Sequence, residues 1–390
     1  MKQAWVAALL AVVMVFAAPA VMLREASAQT GAEQAAETQN AENASDEAAG
    51  DAGEEDNASE TQDDSAEDED DQASEDEEAL QGPVEAASSE EAPQGPAVPA
   101  SAEESGPVSY DRAVWVTLLD DGAKRVMSLW EYLTGVVAGE MTAAFSDDAL
   151  MAQAVAARTY ALRQLASGKH DGCLCADPGC CQDWCDPEEK AQTSAGADLV
   201  RRAGQAVTAT DGWVLTYEGQ LIEAVYHSCS GGRTETASEV WGGDCPYLLA
   251  VDSLGEDFAP RFSGQVSISA ADLGALLDSR GVTLPDRPED WFGAVSYTAG
   301  GGVADWQVGD TLLSGAELRS LLGLNSTRFT LEVRDGSFLF ETQGFGHRVG
   351  LSQYGAEAMA RAGSDWREIL THYYTGVTLL RRTAEDAARS

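Results

Sequence analysis

The chain has 390 residues, with 66 Asp and Glu against 24 Lys and Arg, and a formal net charge of −42. That balance, with no basic stripe, excludes nucleic-acid binding, which needs Lys and Arg to neutralise phosphates. The charge is unevenly spread: residues 29–106 hold 26 acidic and no basic residues, whereas 107–390 hold 39 acidic and 22 basic residues and all nine Trp but one.

Lys2 precedes an uncharged, mostly apolar run over 3–23, and Ala26-Ser27-Ala28 offers small residues at the spacing a signal peptidase reads. Residues 1–28 therefore read either as a cleaved signal peptide or as a membrane anchor, since such a run can span a hydrocarbon core of about 30 Å. On both readings the chain is exported and works outside the cytoplasm, touching a membrane only through this segment. Residues 29–106 are mostly Ala, Ser, Gln, Gly, Pro and acids, with no aromatic residue. They cannot bury enough apolar surface to offset ordering entropy, so a disordered, self-repelling linker is expected.

The folded part spans 107–383, with a tail at 384–390. Residues 126–141 place Leu129, Leu133, Val136, Val137 and Met141 at helical spacing. Ser146 reads as an N-cap, Asp147 and Asp148 as first-turn acids, and Gly168 as the stop of the next helix. Residues 169–192 read as irregular. Residues 207–210 and 213–226 read as strands, the latter folded about Glu218-Gly219. A polar Gly-rich loop at 227–245 precedes short helices and strands over 261–336, with Gly300, Gly301 and Gly302 marking a loop. Residues 337–345 read as a strand, and 351–362 and 364–374 as helices. The irregular alternation predicts an α+β fold, one mixed α/β globular domain behind the N-terminal segment and linker.

Five of the seven cysteines, Cys173, Cys175, Cys180, Cys181 and Cys185, crowd into one loop just after His170. Exported cysteines usually form disulfides, and a local knot is one reading. Crowding favours a tetrahedral metal instead; zinc takes four Cys or His ligands, and a closed four-ligand site is structural. Cys229 and Cys245 flank a different loop. A disulfide there would stabilise by about 3 kcal/mol on the chain-entropy model; two free thiols are the alternative.

Glu140 ends an apolar helical face, and 132–139 before it carry no charge. A carboxyl so placed is expected to have a raised pKa and to serve as a general acid. Arg158 has Ala154, Val155, Ala161 and Leu162 as helical neighbours. It is either buried against an anion or snorkels outward; Glu140 or a polar substrate is the expected partner. Residues 226–248 and 344–363 combine glycines, His, hydroxyls and aromatics, which suit a sugar site. Ser230 lies in the first, and His347, Gln353 and Tyr354 in the second. His227 and His347 read as hydrogen-bonding loop residues, metal ligands or catalytic bases.

Taken together, YLTGVVAGEM, ALMAQAVAARTYAL, YHSCSGGRTE with VWGGDCPYL, and GFGHRVGLSQYGAEAMA with ILTHYYTGV resemble the stage II sporulation protein D family, which includes the amidase-enhancer proteins of the cell wall. The similarity covers about 107–383. It implies a lytic transglycosylase acting on peptidoglycan glycan strands, including strands stripped of stem peptides during sporulation. By resemblance the catalytic Glu is Glu140, the substrate-contacting Arg is Arg158, and Thr234 and Tyr247 bind glycan. Some members carry a zinc in the loop after the long helix; the matching residues are His170, Cys175, Cys180 and Cys181, with Cys180 where a His can occur and Cys173 and Cys185 extra. The implied chemistry needs no cofactor. Two departures stand out: Met141 is followed by Thr142 rather than Pro, and Arg348 replaces a glycine, which would add bulk and charge to a groove wall. The rival readings are a non-catalytic wall-binding module that stimulates a partner amidase, and a zinc hydrolase using the Cys/His loop.

Overall fold

The computed structural model describes residues 109–120 and 122–388. The expected N-terminal segment and acidic linker lie outside the described residues. After α1 (Tyr110–Ala113), β1 (Trp115–Asp120) and β2 (Ala123–Ser128) form a hairpin. Then come α2 (Leu129–Glu140), α3 (Asp147–Ser167), β3 (Leu174–Cys175), α4 (Pro187–Lys190) and α5 (Ser194–Ala209). A hairpin of β4 (Trp213–Tyr217) and β5 (Gln220–Leu221) leads to β6 (Tyr226–His227) and α6 (Ala237–Val240). The stretch that follows contains β7 (Ser263–Ser269), α7 (Ala270–Asp278), β8 (Phe292–Tyr297), β9 (Val303–Val308), β10 (Thr311–Ser314), α8 (Gly315–Leu322), β11 (Phe329–Arg334) and β12 (Ser337–Gln343). The chain ends with β13 (Leu351–Ser352), α9 (Gln353–Arg361), α10 (Trp366–Tyr373), β14 (Thr378–Arg381) and α11 (Ala384–Ala387).

The architecture is mixed α/β with two cores. One gathers Leu129, Leu133, Val136 and Val137 of α2, the alanine-rich face of α3, and Ile369, Leu370 and Tyr373 of α10 around β4. The other packs Leu273, Leu277, Trp291, Trp306, Phe329, Phe338 and Phe340 and is built wholly from the 263–343 stretch. Its two three-stranded sheets run β10-β9-β8 and β11-β12-β7. Phe338 and Phe340 alternate inward along β12, as a half-buried strand requires. None of the described helices is long and apolar enough to cross a membrane.

Local chemistry explains where expectation and fold differ. Helix α2 begins at Leu129, not 126, because Ser128 and Glu131 form a capping box: Ser128 Oγ accepts from Glu131 N at 3.2 Å and Glu131 Oε2 from Ser128 N at 2.7 Å. Ser146 holds the N-cap position of α3, but its backbone N–H and hydroxyl donate to Glu357 instead of the hydroxyl capping the helix. Residues 207–209, expected in a strand, finish α5. Leu199, Ala203, Ala206 and Val207 make a helical stripe, and Thr208 and Thr210 donate back to Gly204 O and Ala206 O. Glu218 (φ 49°) and Gly219 (φ 76°) take the paired positive angles of a tight hairpin turn.

Candidate active site

Glu140 is the last residue of α2, half-buried where that helix meets three other segments. Its Oε1 accepts from the Asp183 backbone N–H (3.0 Å) and the Tyr226 hydroxyl (3.2 Å). Its Oε2 accepts from the Gln353 amide at 3.0 Å. These donors favour the ionised form, but burial outweighs them and pushes the carboxyl up to about 7. Asp183 adds to the rise as a like charge, and its own carboxyl is held up by burial. The arrangement is a carboxyl poised between proton donor and acceptor near neutrality.

Asp183 reaches Glu140 because Gly135 and Gly139, one turn apart on α2, leave the helix surface bare. A Cβ on Gly135 would overlap Trp184 Nε1 and lie 2.7 Å from Cys185 O; one on Gly139 would lie 3.2 Å from Asp183 O. Residues 183–185 therefore lie directly on the helix backbone. Just upstream, His170, Cys175, Cys180 and Cys181 converge, their ligand atoms all within 4.8 Å of one another. His170 Nε2 is 3.2 Å from Cys180 Sγ. The turn that brings it back uses left-handed angles at Gly168, His170, Asp171 and Gly172. Three thiols and one imidazole at this separation fit a tetrahedral cation, whose Zn–S bonds of about 2.3 Å set sulfurs roughly 3.8 Å apart. Cys173 is buried elsewhere, and Cys185 Sγ faces Gly135 O. All seven cysteines are unpaired.

The two polar segments meet across β6 and β13, which pair in parallel with Tyr226 opposite Leu351. Helix α9 then starts at Gln353, which aims its amide at Glu140. Tyr354 stacks edge-on between Phe145 (4.9 Å) and Phe258 (5.4 Å). His347 lies 5.0 Å from the half-exposed Trp241 and 5.6 Å from His227, ring to ring. Of these groups, Gln353 contacts the carboxyl directly.

A family model described as stage II sporulation protein matches residues 122–217. Stage II sporulation protein D of Bacillus amyloliquefaciens is 36% identical over 258 residues, covering 64% of this chain and 74% of the relative. The protein of the same name from Bacillus subtilis (strain 168) is 35% identical over 261 residues, with the same coverage. The chain belongs to the stage II sporulation protein D family. The amidase enhancer of Bacillus subtilis (strain 168) is 28% identical over 305 residues, or 63% of this chain and 40% of the relative.

Several positions that the family resemblance marks as glycan contacts have other partners here. Arg158 does not meet Glu140 or a groove. It is fully buried and grips Asp111, likewise fully buried, through Nε (2.8 Å to Oδ1) and Nη2 (2.6 Å to Oδ2). Val207 O, Trp213 O and Thr210 Oγ1 take its remaining donors. Burial pushes Asp111 up against the downward pull of Arg158. Thr234 is also buried, its hydroxyl spent on the backbone of 249–251, accepting from Val251 N at 2.8 Å. Ser230 is buried and donates to Glu256 (2.8 Å), which also gathers the backbone N–H groups of Ser230 and Gly231. Tyr247 is half-buried; its hydroxyl accepts from Glu223 N at 3.1 Å and its ring leans on Tyr217. Of the two readings for Cys229 and Cys245, the structure has the free thiols: Cys229 is buried beside Arg261 O, while Cys245 sits by Tyr247. Arg348 is no groove wall, because it is buried against Glu235 at 2.9 Å. Sequence reasoning missed Asp183 and Tyr226 as partners of Glu140. The signals were the Gly135/Gly139 spacing and a Tyr opening the first polar segment.

Proposed function

We propose that this family member is a peptidoglycan lytic transglycosylase, with Glu140 as its single acid and base. The supporting observation is a carboxyl held near neutrality by burial, on a part-exposed edge, with only neutral donors touching it. Protonated Glu140 gives its proton to the glycosidic oxygen between N-acetylmuramic acid and N-acetylglucosamine as the C1–O bond breaks. The carboxylate then takes the proton of the sugar's C6 hydroxyl as that oxygen bonds C1, closing a 1,6-anhydro ring. Glu140 ends protonated as it began, and no water is consumed. Hydrolysis would need a second carboxylate at the reacting centre. Asp183 is the acid nearest to hand, but it meets Glu140 through its backbone N–H.

Gln353 and the Tyr226 hydroxyl orient the carboxyl, and the half-exposed Trp241 offers a ring face to the glycan. His170, Cys175, Cys180 and Cys181 would hold a structural zinc; with all four ligands from protein it leaves no open position for chemistry. Bound there, the metal would fix the loop whose next residues contact Glu140. The likeness to a sporulation protein and to an amidase enhancer supports a role at the cell wall.

The test is mass spectrometry of products from intact and denuded glycan strands. Wild type should release anhydro-ended products, with a rate that falls as pH rises through about 7, because the first step needs the protonated acid. Glu140→Gln should lower the rate by about 10²–10⁴-fold, the usual size of an acid–base contribution. Hydrolysed ends, or full activity in the variant, would overturn the reading. The likeness to an amidase enhancer supports a second reading, a wall-binding module. That reading calls for glycan binding by wild type with no soluble product.

A further inference from the structure

His347 is anchored at one ring nitrogen and faces Tyr226. The Val349 N–H donates to its Nδ1 at 3.1 Å, so the ring proton sits on Nε2. The ring also feels the backbone carbonyl of Tyr226, which favours its protonated form. His227, next along the chain, points its Nδ1 at Val349 O (3.1 Å) and packs against His347. The residue between these anchors and Glu140 is Tyr226, whose backbone pairs with Leu351 beside His347 and whose hydroxyl donates to Oε1.

The two oxygens of Glu140 are therefore not equivalent. Oε1 receives an O–H and an N–H, which fill its two lone-pair directions. Among the described residues, Oε2 receives only the Gln353 amide. A proton on Oε1 would collide with one of its donors, whereas Oε2 has a lone pair to spare. We propose that Tyr226, clamped by His347, is a positioning residue that confines the transferable proton of Glu140 to Oε2. The use of that proton rests on the transglycosylase reading; the confinement does not.

Charged and titratable groups around this pair are few. Asp183 faces Glu140 from the loop, and Tyr132 of α2 and Tyr160 of α3 act on Tyr226. Cations stand one step removed: Lys190 acts on Asp183, Arg319 on His347 and Arg348 on His227. Burial presses His347 down to about 4 and His227 well below the ordinary range, so both rings stay neutral wherever Glu140 titrates. The clamp does not switch off in the working range.

The experiment is a ¹³C NMR titration of the Glu140 side-chain carboxyl in the full chain. Tyr226→Phe keeps the ring and deletes the donor. It should raise the Glu140 midpoint by about one pH unit, the scale of one hydrogen bond to a carboxylate. His347→Ala should shift it the same way by less, and His347→Gln, which restores a donor to Tyr226 O, should return it towards wild type. Because His347 acts through Tyr226, the double variant should match Tyr226→Phe alone. Additive shifts, or an unmoved midpoint in Tyr226→Phe, would overturn the proposal. Anhydro-product formation is followed in parallel. If wild type makes none, the transglycosylase reading fails while the titration still decides the positioning pair.

Discussion

Glu140 shows how a single side chain carries opposing demands. Folding places it among apolar neighbours and neutral donors, and the net result is a carboxyl that keeps its proton to about 7 in place of an ordinary 4.5. A raised folded-state value means the native protein binds more protons than the unfolded chain between those limits. Ionisation of Glu140 therefore costs stability, and the cost grows as pH climbs through that window. Glu140→Gln carries no such cost. Melting curves should show the variant level with wild type near about pH 4 and more stable by a few degrees near about pH 8, tempered by the carboxyl's part exposure. A variant no more stable at the higher pH would show that the carboxyl is not held up. The same residue thus sacrifices stability where it supplies a usable acid.

At the level of elements, α2 is shaped by what lies on it. Alanine normally outranks glycine in a helix by about 1 kcal/mol. At Gly135 the sign should reverse, because the added methyl meets Trp184 Nε1 and Cys185 O. Overpacking of this kind costs about 1–3 kcal/mol. Gly135→Ala should lower the melting temperature and, by lifting Asp183 off Glu140, slow anhydro-product formation. Zinc should stay at one per chain in both proteins, since the four ligands precede residue 182; metal analysis that finds none in wild type would remove the zinc proposal. This element also marks what the sequence made legible. The apolar run ending at Glu140 and the crowding of cysteines after His170 are local patterns, and both were readable; which four side chains gather there was implied by the family resemblance alone. The partners of those residues come from 43 positions away at Asp183 and 86 at Tyr226, and Asp111 is 47 from Arg158. No periodicity encodes such pairings. The 207–210 error was likewise one of context, since VTAT suits a strand until Leu199 and Ala203 extend its stripe into a helix.

Across the whole molecule, two hydrophobic cores must act as one, and a buried ion pair stands where they join. Arg348 bonds Glu235, Ser230 O and Arg233 O on one side and Gly300 O, leading into β9, on the other. Glu235 also receives Thr298 Oγ1 and Gly302 N–H, and a Cβ at Gly302 would come within 2.7 Å of Thr327 Oγ1. Arg348 sits at φ 65°, a left-handed angle that glycine adopts without strain. Arg348→Gly is therefore a clean cut, because it removes the side chain without straining the backbone. Glu235 would be left buried and uncompensated, a loss of about 3–5 kcal/mol when one partner of such a pair is removed. The damage should fall on the junction. Calorimetry should split one transition into two, and the fluorescence of Trp291 and Trp306, both in the second core, should change in the earlier one. Replacing both Glu235 and Arg348 by apolar residues should recover most of the loss, since a buried pair contributes little net stability against well-packed apolar groups. A single unshifted transition in Arg348→Gly would mean that the cores are held together by packing alone.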